Sequence, residues 1–125
     1  MRCGLSEKTV NNVASKNGFE NYDFEKDPEK AAKGSDLLIT DTWFSMHQTR
    51  KERTERVNLI SDYSINQDLL KVAKPDCLVF HCMPLYRDKE ISTDIVERFF
   101  KIFLLQAENR LHVQKAIMKW CLFQT

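Results

Sequence analysis

Two short apolar runs, Asp36-Leu37-Leu38-Ile39-Thr40 and Cys77-Leu78-Val79-Phe80-His81, constrain this chain more than any other feature. Each is apolar at consecutive positions instead of alternating, as expected of a strand covered on both faces. Helical segments surround them. Asp27-Pro28-Glu29 offers a cap, a proline at the first helical position and an acidic first turn. They predict a short helix that turns Ala31 and Ala32 inward and stops at Gly34. The charge-rich stretch 48–59 reads as a helix, with Glu52 four residues before Arg56. Asn66 caps another helix over 67–73, closed by Pro75. Upstream, Ser6 precedes a helix over 7–17 with Val10, Val13 and Ala14 on one face, and 19–24 reads as a short strand. Downstream, Pro84 turns the chain. Ser92 opens a helix over 93–100, 101–105 reads as a third strand, and 107–123 as the last helix. Such alternation predicts an α/β fold, a parallel sheet with helices on both faces. Ligands of open parallel sheets bind outside the carboxyl ends of the strands. Asp41 and His81-Cys82 fall at those ends.

The 125 residues suit one domain, and a net charge of +1 argues against a dedicated nucleic-acid binder. Cys3, Cys77, Cys82 and Cys121 form no CxxC pair, and no apolar leader follows Met1. A reducing, cytoplasmic setting with free thiols is the expectation. No apolar run approaches the ~18 residues of a membrane span.

Three segments offer chemistry. Asp41, followed by the loop Thr42-Trp43-Phe44-Ser45-Met46-His47, would hold a cationic amine; the plainer reading is a carboxylate that caps the next segment, with Trp43 in the core. Cys82 would be reactive if a positive neighbour lowered its pKa, and otherwise inert. Metal binding by Cys77, His81 and Cys82 is disfavoured, because residues 77 and 81 share one strand face while 82 points to the other. Arg110, expected in the first turn of the last helix, would suit an oxyanion; its alternative is a solvated surface, with Glu108 in a salt bridge to a neighbour.

Taken together and in this order, the stretches Gly34-Ser35-Asp36-Leu37-Leu38-Ile39-Thr40-Asp41-Thr42-Trp43, Ser45-Met46, His81-Cys82-Met83-Pro84 and Ala107-Glu108-Asn109-Arg110-Leu111-His112 resemble ornithine carbamoyltransferases. Cysteine after the histidine, where aspartate carbamoyltransferases carry proline, favours the ornithine branch. The resemblance implies a Rossmann-like fold, the incomplete second domain of a carbamoyltransferase. Residues 1–125 would then be a single truncated ornithine-binding domain, with the amino-terminal carbamoyl-phosphate-binding domain absent. It implies that Asp41 binds ornithine and that Ser45 and Met46 close over it. Cys82 and Met83 would line the site of carbamoyl transfer, and Arg110 would reach carbamoyl phosphate. Asp41, Cys82 and Arg110 would form the catalytic set. No metal and no cofactor is implied.

Two departures qualify the expectation. His47 stands where the family loop carries glycine, a residue with wider backbone freedom. Neither the Ser-x-Arg-Thr phosphate loop nor the His-Pro-x-Gln segment is found, so this chain alone is expected to be inactive. The expected reaction is carbamoyl transfer from carbamoyl phosphate to the side-chain amine of ornithine, giving citrulline. The alternatives are a non-catalytic remnant or interaction module, or a carbamoyltransferase for another amine. Expected partners are the two small substrates, with no nucleic acid and no membrane. A separate amino-terminal domain, or self-association through the apolar side of the last helix (Val113, Ala116, Ile117, Trp120, Phe123), completes the set.

Overall fold

The structure is a computed structural model and describes residues 15, 23–44 and 47–123. Of the helix expected over 7–17 only Ser15 is among the described residues, and it is helical; nearly all of the strand expected over 19–24 lies outside them. Asp23 and Phe24, at the end of the latter, have no regular structure and are exposed.

Chain order builds two like units. Helix α1 (Pro28–Ala32) leads into strand β1 (Leu37–Thr40). Asp27 caps α1, its carboxylate accepting from the backbone N–H of Glu29 and Lys30. Ala32 is buried, whereas Ala31, expected beside it, is exposed. Gly34 has φ +69°, a left-handed conformation that a side chain would strain, and turns the chain into β1. Helix α2 (Arg50–Ile60) and a 3₁₀ turn (Ser61–Tyr63) follow. The second unit is helix α3 (Gln67–Val72) and strand β2 (Leu78–His81). Asn66 caps α3 by accepting from Leu69 N–H at 2.9 Å.

Backbone bonds lace the segments leading into β1 and β2 together. Gly34 N–H donates to the Val72 carbonyl at 2.9 Å, Lys74 N–H to Ser35 at 3.2 Å and Leu78 N–H to Asp36 at 3.0 Å. The strands therefore start side by side. They run parallel, with Leu37 opposite Leu78 and Thr40 opposite His81. Because the register is fixed where the strands begin, the chain leaves both of them at the same edge.

Helix α4 (Thr93–Leu122) is one continuous helix of 30 residues. The third strand expected over 101–105 does not exist; those residues lie inside α4, and the sheet of the described residues has two strands. The physical reason is legible in hindsight. Ile95, Val96, Phe99 and Phe103 recur at helical spacing and are all buried against the core. No glycine or proline interrupts 93–122, and Leu, Lys, Gln, Ala and Glu dominate its middle. Ser92, expected as its cap, makes no side-chain cap bond. Asp88 supplies that bond, accepting from Thr93 N–H at 2.9 Å and Thr93 Oγ1 at 3.0 Å. Asp88 has φ 59°, a conformation its short polar side chain tolerates.

Glu52 does not pair with Arg56 as its spacing suggested. It closes a capping box with Thr49 at the start of α2. β1 departs from expectation in another way: Leu37 and Ile39 face outward, Ile39 being 68% exposed, so that face of the strand is uncovered by the described residues.

Candidate active site

Asp41 follows β1 and Cys82 follows β2, each one residue beyond the last paired residues, Thr40 and His81. Parallel register thus sets them next to one another across 41 positions of sequence. Cys82 Sγ donates to Asp41 Oδ1 at 2.7 Å, and Thr42 N–H donates to the same oxygen at 2.6 Å. The thiol bond first, then the Thr42 amide, holds the Asp41 carboxyl below its ordinary range. Asp41 is exposed, and its Oδ2 has no hydrogen-bond partner among the described residues. An ionised carboxylate oxygen with a free lone-pair side is a seat for an ammonium group.

The condition for a reactive Cys82, a positive neighbour that lowers its pKa, is not met among the described residues. Burial, then the hydrogen bond to Asp41, pushes the thiol up. Cys82 is therefore an S–H donor at neutral pH, not a thiolate.

Behind Cys82 lies a buried pair missed at the level of sequence. His81 and Glu90 are 1% and 0% exposed, with His81 Nε2 3.3 Å from Glu90 Oε1. His81 Nδ1 hydrogen-bonds the Cys82 carbonyl, which can only accept. Nε2 faces a carboxyl oxygen, so each side chain supplies the other with a polar partner in the core. Glu90 Oε1 also accepts from Tyr86 N–H at 2.6 Å, while Oε2 is buried without a partner among the described residues. Bonds from Ile65 N–H to the Glu90 carbonyl (3.0 Å) and from Ser92 N–H to the Ile65 carbonyl (2.9 Å) pin this loop. In sequence Glu90 is one more acid in Arg87-Asp88-Lys89-Glu90 and carries no periodic signal.

Gln106 is the second unforeseen residue. Its Oε1 accepts from His81 N–H at 3.2 Å, so an α4 side chain stands where another strand would pair with β2. Arg110 lies one turn further along the same face of α4. It is exposed, far from the helix start where it was expected, and has no hydrogen-bond or ion-pair partner among the described residues. Glu108 pairs instead with His112 at 3.7 Å. Met83 is 45% exposed beside Cys82. Ser45 and Met46 lie outside the described residues. His47 is exposed.

A shallow cavity of about 520 Å³ opens beside β1, from Pro28 and Ala32 of α1 past Leu38 to Asp41, with Arg56 and Tyr63 at its far wall. Asp41 lines it, so this concavity adjoins the Asp41–Cys82 pair.

Comparison with known proteins gives a consistent likeness. The family model "Aspartate/ornithine carbamoyltransferase, Asp/Orn binding domain" matches residues 4–121. The ornithine carbamoyltransferase of Cereibacter sphaeroides is 47% identical over 98 residues, 78% of this chain and 32% of that protein. That of Paracoccus denitrificans is similar to the same extent, 47% over 98 residues, again 78% of this chain and 32% of its own length. Among solved structures, the anabolic ornithine carbamoyltransferase of Campylobacter jejuni superposes with a TM-score of 0.80 at 29% identity, covering 98% of this chain and 41% of that one. The Pyrococcus furiosus enzyme gives 0.76 at 37% identity, covering 90% and 36%. The chain thus spans about a third of the length of the curated relatives it matches.

Proposed function

The chain belongs to the aspartate/ornithine carbamoyltransferase family, as its Asp/Orn binding domain, and from that premise we propose that it forms the amino-acid-binding part of an ornithine carbamoyltransferase. The single observation that carries this reading is the meeting of Asp41 and Cys82 at 2.7 Å on the carboxyl edge of a parallel sheet. The ornithine branch is favoured because curated ornithine enzymes share 47% identity with the chain.

In this reading Asp41 receives the cationic amine of ornithine on its free oxygen. The side-chain ammonium, with an ordinary pKa of about 10, must lose a proton before it attacks the carbamoyl carbon. The protonated Cys82 is a poor acceptor for that proton and a suitable donor to oxygen, so its part is to hold Asp41 and face the reacting group. A tetrahedral species forms, the bond to phosphate breaks, and citrulline and phosphate result. The developing oxyanion needs fixed donors. Arg110, a turn beyond the Gln106 contact, is the cation that would supply one from α4. Residues 1–125 act as one domain in this reading, and carbamoyl phosphate is held by donors that this sequence does not contain. Turnover by the chain alone is negligible.

Calorimetry with ornithine, alone and with a carbamoyl-phosphate mimic, tests binding. A folded sample that binds nothing at millimolar ornithine would sink the reading. Citrulline formation, assayed with and without the carbamoyl-phosphate-binding part of a relative, tests competence. One observation favours a second reading, a family member that keeps the fold without the chemistry. Arg110 projects from an exposed stretch of α4 with nothing to orient it among the described residues. Binding of ornithine without complemented turnover would select that alternative.

A further inference from the structure

Asp41 and Cys82 stand on two separate loops, and their S–H···O bond is weak and exposed. Ordering two loops costs more conformational freedom than one such bond repays. A second tie joins the same loops away from that pair. Phe44, three residues after Asp41, meets Tyr86, four residues after Cys82, edge to face, with ring centroids 5.1 Å apart and planes at 80°. That is a preferred aromatic geometry. The Arg53 guanidinium of α2 lies 5.6 Å from the Phe44 ring centre, a cation over an aromatic face. Each ring is anchored through its own backbone. Phe44 N–H donates to Thr42 Oγ1 at 3.5 Å, and Tyr86 N–H donates to Glu90 Oε1 at 2.6 Å.

We propose that Phe44 and Tyr86, with Arg53 stacked on Phe44, are positioning residues that clamp the loop after β1 to the loop after β2 and so keep Asp41 on Cys82. The inference deepens the proposed function by adding positioning residues to the same site. Its readout needs neither ornithine nor turnover, so it fails or stands separately from calorimetry.

The readout is the Cys82 thiol itself. Groups around it are Asp41 and the Thr42 amide from the opposite loop, His81 on its own strand, and Glu90 behind His81. None is altered by changing either ring. Burial and Asp41 both hold the thiol protonated, so loosening the clamp frees thiolate. The experiment follows alkylation of Cys82 by iodoacetamide against pH, with peptide-level mass spectrometry to separate it from Cys3, Cys77 and Cys121. Variants are Phe44→Leu, Tyr86→Leu and Tyr86→Phe, with Leu70→Ala as a core control and a urea melt on each. Phe44→Leu and Tyr86→Leu are expected to move the pH–rate midpoint down and to raise the rate at fixed alkaline pH severalfold. Tyr86→Phe keeps the ring and the parental profile, and Leu70→Ala loses stability with the profile unchanged. Parental profiles in the folded leucine variants would overturn the proposal, as would an equal shift in Leu70→Ala. Should Phe44→Leu fail to fold, Tyr86→Leu decides, since Tyr86 is 40% exposed.

Discussion

A carboxylate at a ligand site needs a free oxygen and a charge, and among the described residues Asp41 keeps both. Substituting Asp41→Asn keeps the shape and removes the charge. Ornithine affinity is then expected to fall at least about tenfold, or about 1.4 kcal/mol, by calorimetry. The same change removes a negative neighbour from Cys82, so its thiol should alkylate faster at alkaline pH. His81 and Glu90 make a different demand. Both are buried, and each is the other's counterpart. Glu90→Leu leaves His81 and the Tyr86 amide without an acceptor, and stability measured by urea unfolding is expected to drop by about 3 kcal/mol. A variant as stable as the parent would show that the pair is not needed to satisfy these groups.

At the scale of elements, α4 is the decisive one. If 101–105 were a strand ending near Gln106, proline at 107 would sit at a junction and be tolerated. In a continuous helix it removes a backbone bond and clashes with the preceding turn. Ala107 is exposed, so Ala107→Pro tests the helix with little change in packing. A loss of about 3 kcal/mol, with reduced helical circular dichroism, is expected. The capping carboxylates act on the short helices. The Lys30 amide first, then that of Glu29, lowers the Asp27 pKa, and the Thr49 amide lowers that of Glu52. Folded values below unfolded ones mean that this stability is complete above the ordinary carboxylate range. It is lost as pH falls through the folded values. The urea midpoint should therefore decline below about pH 4, and Thr49→Ala should cost about 1 kcal/mol at neutral pH.

For the whole molecule, the main physical tension is exposed apolar surface. Past Gln106, α4 buries nothing in the described structure, yet Leu111, Val113, Ile117, Trp120, Leu122 and Phe123 are each more than half exposed. That stretch extends roughly 24 Å at 1.5 Å per residue. Surface of this kind seeks cover. Sedimentation velocity of this chain is expected to show concentration-dependent association, relieved by Ile117→Lys with Trp120→Lys. A strictly monomeric parent would remove the expectation. No helix among the described residues is long and apolar enough to cross a membrane.

What the sequence determined by itself was local or repetitive. Asp27, Pro28 and Gly34 bracket α1 through cap and turn chemistry acting within a few residues, and Asn66 likewise sets α3. The two apolar runs declared the strands and placed Asp41 and Cys82 at their ends. Tertiary structure decided whatever depended on partners distant in the chain. Parallel register brought two strand ends together, and burial, then the Asp41 contact, raised the Cys82 pKa. Burial converted Glu90 from an ordinary acid into the partner of His81. Strand and helix compete for a short apolar run such as Ile102-Phe103-Leu104-Leu105, and the composition of that run does not separate them. The core chose helix, because it accepts Ile95, Val96, Phe99 and Phe103 along one stripe, and the adjacent pair Ile95 and Val96 would point to opposite faces of a strand.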